Sequence, residues 1–180
     1  MMKKSLSLLF LGFAVSLAPA ADAPTAEIHS DQIKATLYLP DVKQGYYRST
    51  RFDWSGIISS LEYKGHNYYG PWFQKIDPKV TDFTNDGPEV VVSPNSSVMG
   101  PAEEFSPQGY DDAKLGETFI KIGVGVLRKP DAGRYDHYKP YEIVDSGKWT
   151  VKKTSNSVET TQELTDPATH FGYTTAKSSG

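Results

Sequence analysis

Cysteine is absent from all 180 residues. The chain therefore has no disulfide, no thiolate metal centre and no thiol nucleophile, and it must hold its fold by packing alone. An excess of one charge is also missing. Nineteen Lys and Arg face 22 Asp and Glu, and the formal net charge of −3 is spread along the chain. Without a basic stripe there is no electrostatic footprint for nucleic acid, and without an acidic run there is no charge-driven partner. No window carries a capped helical stripe. The four histidines, His29, His66, His137 and His170, stand in none of the spacings of a zinc site. Asp82–Gly87 fails the calcium-loop pattern at Thr84 and at Ser93. Gly123-Val124-Gly125 lacks the third glycine and the following helix of a dinucleotide fingerprint, so it is read as strand packing. No G-x-S-x-G is present. The expectation is a protein with no metal and no cofactor.

What is present begins with an address. Met1–Lys4 is positive, an apolar segment follows to Ala20, and small residues around Ala18–Ala23 offer a cleavage site. Gly12, Ser16 and Pro19 interrupt the apolar run, which is short for a membrane span. Residues 1–23 thus read as a secretory signal peptide. The expected location is periplasmic or secreted, with no membrane contact after cleavage. Removing 23 of 180 residues leaves 157, a size that suits one domain. That domain is placed at residues 24–165. The remainder, 166–180, is polar and rich in small residues, and is expected to be a disordered tail.

Strand signals dominate the domain. Ile33–Leu39 alternates until Pro40, and Gly56–Tyr63 runs into the hairpin connector Lys64-Gly65-His66-Asn67. Thr118–Leu127 (TFIKIGVGVL) reads as the clearest strand. Ile120, Ile122, Val124 and Val126 fall on one face, with Lys121, Gly123 and Gly125 on the other. Tyr141–Val144, Trp149–Lys153 and Val158–Leu164 read as a meander. With twelve prolines and fifteen glycines, this pattern predicts an all-β chain, an antiparallel β-sandwich. Lys75–Tyr110 lacks periodicity and is read as a long loop.

The chemistry-bearing stretch is Gly45–Trp72, GYYRSTRFDWSGIISSLEYKGHNYYGPW. Sugars present apolar C–H faces for Tyr and Trp, and hydroxyls for Arg, Asp, Glu and His. Tyr46, Tyr47, Arg48, Arg51, Trp54, His66, Tyr68, Tyr69 and Trp72 supply these types. The same aromatics also suit strands and cores, where the tyrosine hydroxyl sits at the rim. A second candidate is GPAEEF, Gly100–Phe105. In extended chain Glu103 and Glu104 face opposite sides, so only one can enter a cleft. A solvated pair of loop charges is the competing account. The candidate carbohydrate-binding residues are Arg51, His66, Trp72, Glu103 and Glu104.

The Gly45–Trp72 run, GPAEEF, GETFIKIGVGVLRKPD and YEIVDSGKWTV together resemble exported bacterial proteins of the galactose mutarotase-like (aldose 1-epimerase-like) superfamily. The likeness extends over Ala26–Leu164. It implies a β-supersandwich that holds a sugar in an open cleft. Active members interconvert anomers, with a histidine protonating the ring oxygen and a glutamate removing the anomeric proton. The family's histidine lies beyond the equivalent of Leu164, and its glutamate lies near the C-terminus. His170 stands in a divergent tail, and Glu103 and Glu104 come too early, so no catalytic residue carries over. Arg51, Trp72 and the GPAEEF loop do, as part of a cleft. The resemblance implies the N-terminal part of such a fold: a protein that binds a monosaccharide or oligosaccharide without turning it over, with uncovered sheet edges open to self-association. The alternative is a non-catalytic structural or interaction β-sandwich domain of the periplasm.

Overall fold

Every regular element among residues 23–69, 102–167 and 172–179, the residues that the computed structural model describes, is a β-strand. The chain is all-β and its sheets are antiparallel. Residues 1–22 of the expected signal peptide and most of the Lys75–Tyr110 loop lie outside the described residues, whereas Ala23, the last residue of that expectation, is buried in the core.

The first sheet runs β1 (Thr25–His29), β2 (Ile33–Tyr38), β3 (Ile57–Tyr63) and β4 (His66–Asn67), in that order. Pairing of Ala35 with Ile28 and Leu61, and of Leu37 with Ile58, gathers aliphatic side chains on one face. Glu27, Lys34, Thr36 and Glu62 take the other. A bulge between Thr36 and Leu37 admits one extra β3 residue, and the Ser59 hydroxyl donates to the Thr36 carbonyl at 3.1 Å. Lys64 (φ 50°) and Gly65 (φ 75°) turn β3 into β4 with both central residues left-handed, the geometry that two-residue hairpins favour.

The second sheet is β5 (Thr118–Lys121), β6 (Gly125–Arg128) and β7 (Glu142–Asp145). The expected single strand Thr118–Leu127 is therefore a hairpin, and Gly123-Val124-Gly125 is its turn rather than strand packing. Gly123 has φ +80°, and a Cβ there would lie 2.6 Å from Asp53 Cγ. The Val124 N–H donates back to the Lys121 carbonyl at 3.0 Å, closing the turn. Folding back also buries Lys121, which the alternation assigns to an outer face.

The third sheet is β8 (Lys148–Lys153), β9 (Val158–Thr165) and β10 (Gly172–Ser179), with β9 in the centre. The expected meander is thus split. β7 pairs with β6, and the Asp145–Lys148 turn hands the chain to the third sheet, where β8 pairs with β9. β10 falls within the segment whose composition argues for a disordered tail. It pairs with β9 from Gly172↔Thr165 to Ser179↔Val158.

Three clusters join these sheets. The largest is aromatic: Tyr46, Tyr47, Trp54, Tyr110, Phe119 and Tyr141 pack with Ile57, Val124 and Leu127. Tyr46, Tyr47 and Trp54 are buried, so for these three the core account of the aromatic stretch holds. Tyr46 lies flat on Tyr38 at 3.9 Å. A second cluster joins Ala26 and Leu39 to Val158, and a third joins Ile120 and Val126 to Leu164.

Candidate functional site

Two backbone anchors set the site. The Asp53 N–H donates to the Glu103 carbonyl at 2.8 Å, and Gln108 exchanges backbone hydrogen bonds with Ile120 of β5 at 2.7 and 3.0 Å. Asp53 is itself fixed. Its Oδ1 accepts the Ser55 N–H at 2.8 Å and the Ser55 hydroxyl at 2.9 Å, and the next residue, Trp54, donates its N–H to the Gly123 carbonyl at 2.9 Å. The 103–108 segment is thus stretched between the Arg51–Ser55 loop and the edge of the second sheet.

On this extended backbone the two glutamates part. Glu103 contributes its carbonyl to the anchor and leaves its side chain exposed. The Glu104 side chain, 27 % exposed, reaches the neighbouring loops. Its Oε2 accepts from Arg51 Nε at 3.1 Å, while its Oε1 lies 3.3 Å from His137 Nδ1 and 3.9 Å from Lys121 Nζ. The Arg51 guanidinium lies 4.6 Å from the Phe52 ring centre and 4.8 Å from that of Tyr138. His137 stands edge-on to Tyr138 at 4.1 Å. The Lys121 side chain, 1 % exposed, also donates to the Phe105 carbonyl and lies 5.1 Å from the Tyr135 ring centre. A buried lysine must be met by acceptors and negative charge, and here the 103–108 segment supplies both.

Glu104, Phe105, Ser106, Pro107, Tyr135 and His137 line an open cleft of about 310 Å³. Its aromatic wall, Tyr135, is packed from behind. Tyr135 stacks on Tyr141 at 5.2 Å and meets Tyr110 and Phe119 edge-on. The Tyr141 hydroxyl accepts the Asp136 N–H at 2.9 Å and donates to the Asp136 carbonyl at 3.2 Å, bracing the loop that carries His137. Burial pushes the Tyr141 phenol up to about 12.

Of the candidate residues, Arg51 and Glu104 meet, and Glu103 joins the site through its backbone carbonyl. His66 sits exposed on the β3–β4 hairpin, edge-on to Tyr68 at 4.6 Å, and does not line this cleft. Trp72 lies outside the described residues. Lys121, Tyr135, His137 and Tyr138 join Arg51 and Glu104 without a signal in the sequence. The alternation continues through the β5–β6 turn and so hides Lys121, and the stretch from Arg134 to Tyr138 has no periodicity to read. Among the described residues no group of three or more histidines, aspartates and glutamates is arranged to hold a metal ion. No family model, no curated protein and no solved structure matches the chain.

Proposed function

We propose that this is a carbohydrate-binding protein of the periplasm, related to aldose 1-epimerases, that takes a monosaccharide or the end of an oligosaccharide in the cleft beside Glu104. The observation that carries this reading is the Glu104 carboxylate, oriented by Arg51 at the lip of a tyrosine-walled cleft. A carboxylate and an imidazole accept and donate to vicinal hydroxyls, and an aromatic wall suits the C–H face of a pyranose. A volume of about 310 Å³ falls at the small end of ligand pockets and suits one ring. The reading is binding without anomer turnover, since neither proton-transfer residue of the active family maps onto this sequence. Export to the periplasm rests on residues 1–23.

One observation favours a second reading. Glu104 is already met by Arg51, Lys121 and His137, as a purely structural clamp would be in a domain with no small ligand. Calorimetric titration with a panel of neutral and acidic monosaccharides separates the two. Binding by the native chain that is lost in Glu104→Gln supports the first. No heat with any sugar, together with a stability loss in Glu104→Gln, supports the clamp. Polarimetry of freshly dissolved glucose and galactose tests turnover, and an accelerated approach to anomeric equilibrium would overturn the non-catalytic assignment.

A further inference from the structure

A second cavity lies away from Glu104, and its walls are of a different kind. It measures about 530 Å³ and is floored by Ile28, Ile33, Ala35, Leu37, Ile58 and Leu61. These six form the aliphatic face of the first sheet, which the register of β1, β2 and β3 puts on one side. Among the described residues, no tyrosine, phenylalanine, tryptophan, arginine, lysine or carboxylate lines it. A sugar would find no partner on such a floor, and a planar ligand would find nothing to stack on.

The polar part of the lining is gathered at one end. Ser30 belongs to the β1–β2 turn, Asn156 to the β8–β9 turn, and Ser178 and Ser179 to the end of β10. The His29 N–H donates to the Ser155 carbonyl at 3.0 Å, which ties the end of β1 to the β8–β9 turn. Ser179 pairs with Val158, which brings the end of β10 to the same turn. Ile33 lies at this end, Ala35 and Leu61 lie midway, and Leu37 and Ile58 lie furthest in. Polarity therefore falls along the strand direction, from hydroxyls and an amide at the mouth to aliphatic carbon at the far end. From Ile33 to Leu37 the floor runs about 13 Å at the strand rise.

We propose that this cavity binds a single-chain amphiphile, with its alkyl tail laid along β2 toward Leu37 and Ile58 and its polar head at Ser30 and Asn156. The gradient selects that class. A wholly apolar ligand would leave the mouth unmatched, and a polar one would desolvate on the floor. Among the described residues the mouth offers hydroxyls and an amide and no lysine, arginine or carboxylate, so the head is uncharged or a carboxylate. This site does not depend on the carbohydrate reading.

The test titrates the purified full chain with hexanoate, octanoate and decanoate, and with the matching alkanols, all below micelle formation. One molecule should bind per chain, tightening about three- to fourfold per added methylene until the floor is filled. Decanoate binding tighter than decanol assigns a carboxylate head, and equal binding assigns a neutral one. Ala35→Leu and Leu61→Phe each place carbon where the tail would lie, and should weaken decanoate by about tenfold or more. If either variant fails to fold, the other and the chain-length series still decide. No dependence on chain length, stoichiometry above one, or affinity unchanged in a folded cavity-filling variant would overturn the proposal.

Discussion

Arg51 Nε meets Glu104 Oε2 at 3.1 Å across 53 positions of sequence. The side chains are 17 % and 27 % exposed, so the pair is neither a free surface bridge nor a sealed one. It links the loop after Tyr47 to the segment that runs to the edge of the second sheet. A double-mutant cycle with Arg51→Ala and Glu104→Gln should give a coupling of about 1 kcal/mol in urea unfolding, above the usual surface value because both groups are partly desolvated. Glu104→Gln alone should cost about 1–2 kcal/mol, since it withdraws negative charge from Lys121 as well as from Arg51. A zero coupling energy would mean that the pair has no energetic role.

The β5–β6 turn gives a sharper prediction. Gly123 has φ +80°, and its missing Cβ is where the Asp53 side chain sits, with Asp53 Cβ 2.7 Å from the ideal position. Gly123→Ala should lose about 1–2 kcal/mol to the left-handed backbone and at least as much again to the clash. Because Asp53 also holds Glu103 through its backbone N–H, the substitution should disturb the Glu104 cleft along with stability, and with it the sugar binding proposed there. Urea midpoints and calorimetry on the same preparation check both. A variant as stable as the parent would remove this account of the turn.

How much of this could be read from the sequence depended on whether neighbours in the chain were also neighbours in space. The alternation in Ile33–Leu39 and in Val158–Leu164 stands for real strands, because burial alternates from Ala35 onward in β2 and along all of β9. The alternation through Thr118–Leu127 is equally regular, yet it passes through a turn. Period two persists there because Ile120 and Val126 pair across the hairpin and share a face. The divergence of Glu103 and Glu104 follows from extended backbone, but the direction of each is set by the Asp53–Glu103 hydrogen bond, fifty positions apart. Lys121 and His137 reach the site through the hairpin and a braced loop, and neither leaves a local pattern.

The strand β10 can be tested directly. Its composition, small and polar, carries no strand signal, but it covers the edge of β9 along Val158–Thr165. On β9 the side chains of Val158, Thr160, Gln162 and Leu164 are buried, and Tyr173 packs against the cluster that holds Leu164. Truncation after Pro167 should expose that edge, lower the unfolding midpoint and drive self-association, since an unpaired edge strand templates pairing with another chain. Light scattering coupled to size exclusion reads the association. An unchanged midpoint and a clean monomer would return residues 168–180 to the status of a disordered tail.

Tyr141 makes stability fall at high pH. Burial raises its phenol from 10.0 to about 12, and both hydrogen bonds of the hydroxyl go to the backbone of Asp136. Below pH 10 the folded and unfolded chains both keep the proton, and the contribution is complete. Between pH 10 and about 12 the unfolded chain ionises first, so stability drops, by a total on the order of 2 kcal/mol. Above that window both states are ionised and the loss stops growing. Tyr141→Phe should cost about 1 kcal/mol at neutral pH through the lost hydrogen bonds, and it should flatten this part of the alkaline slope. The measurement is urea unfolding at half-unit pH steps for both chains, with the phenolate difference spectrum tracking ionisation. A slope identical in parent and variant would show that Tyr141 titrates at its ordinary value, and that the wall behind the cleft is wetter than its packing against Tyr135 implies.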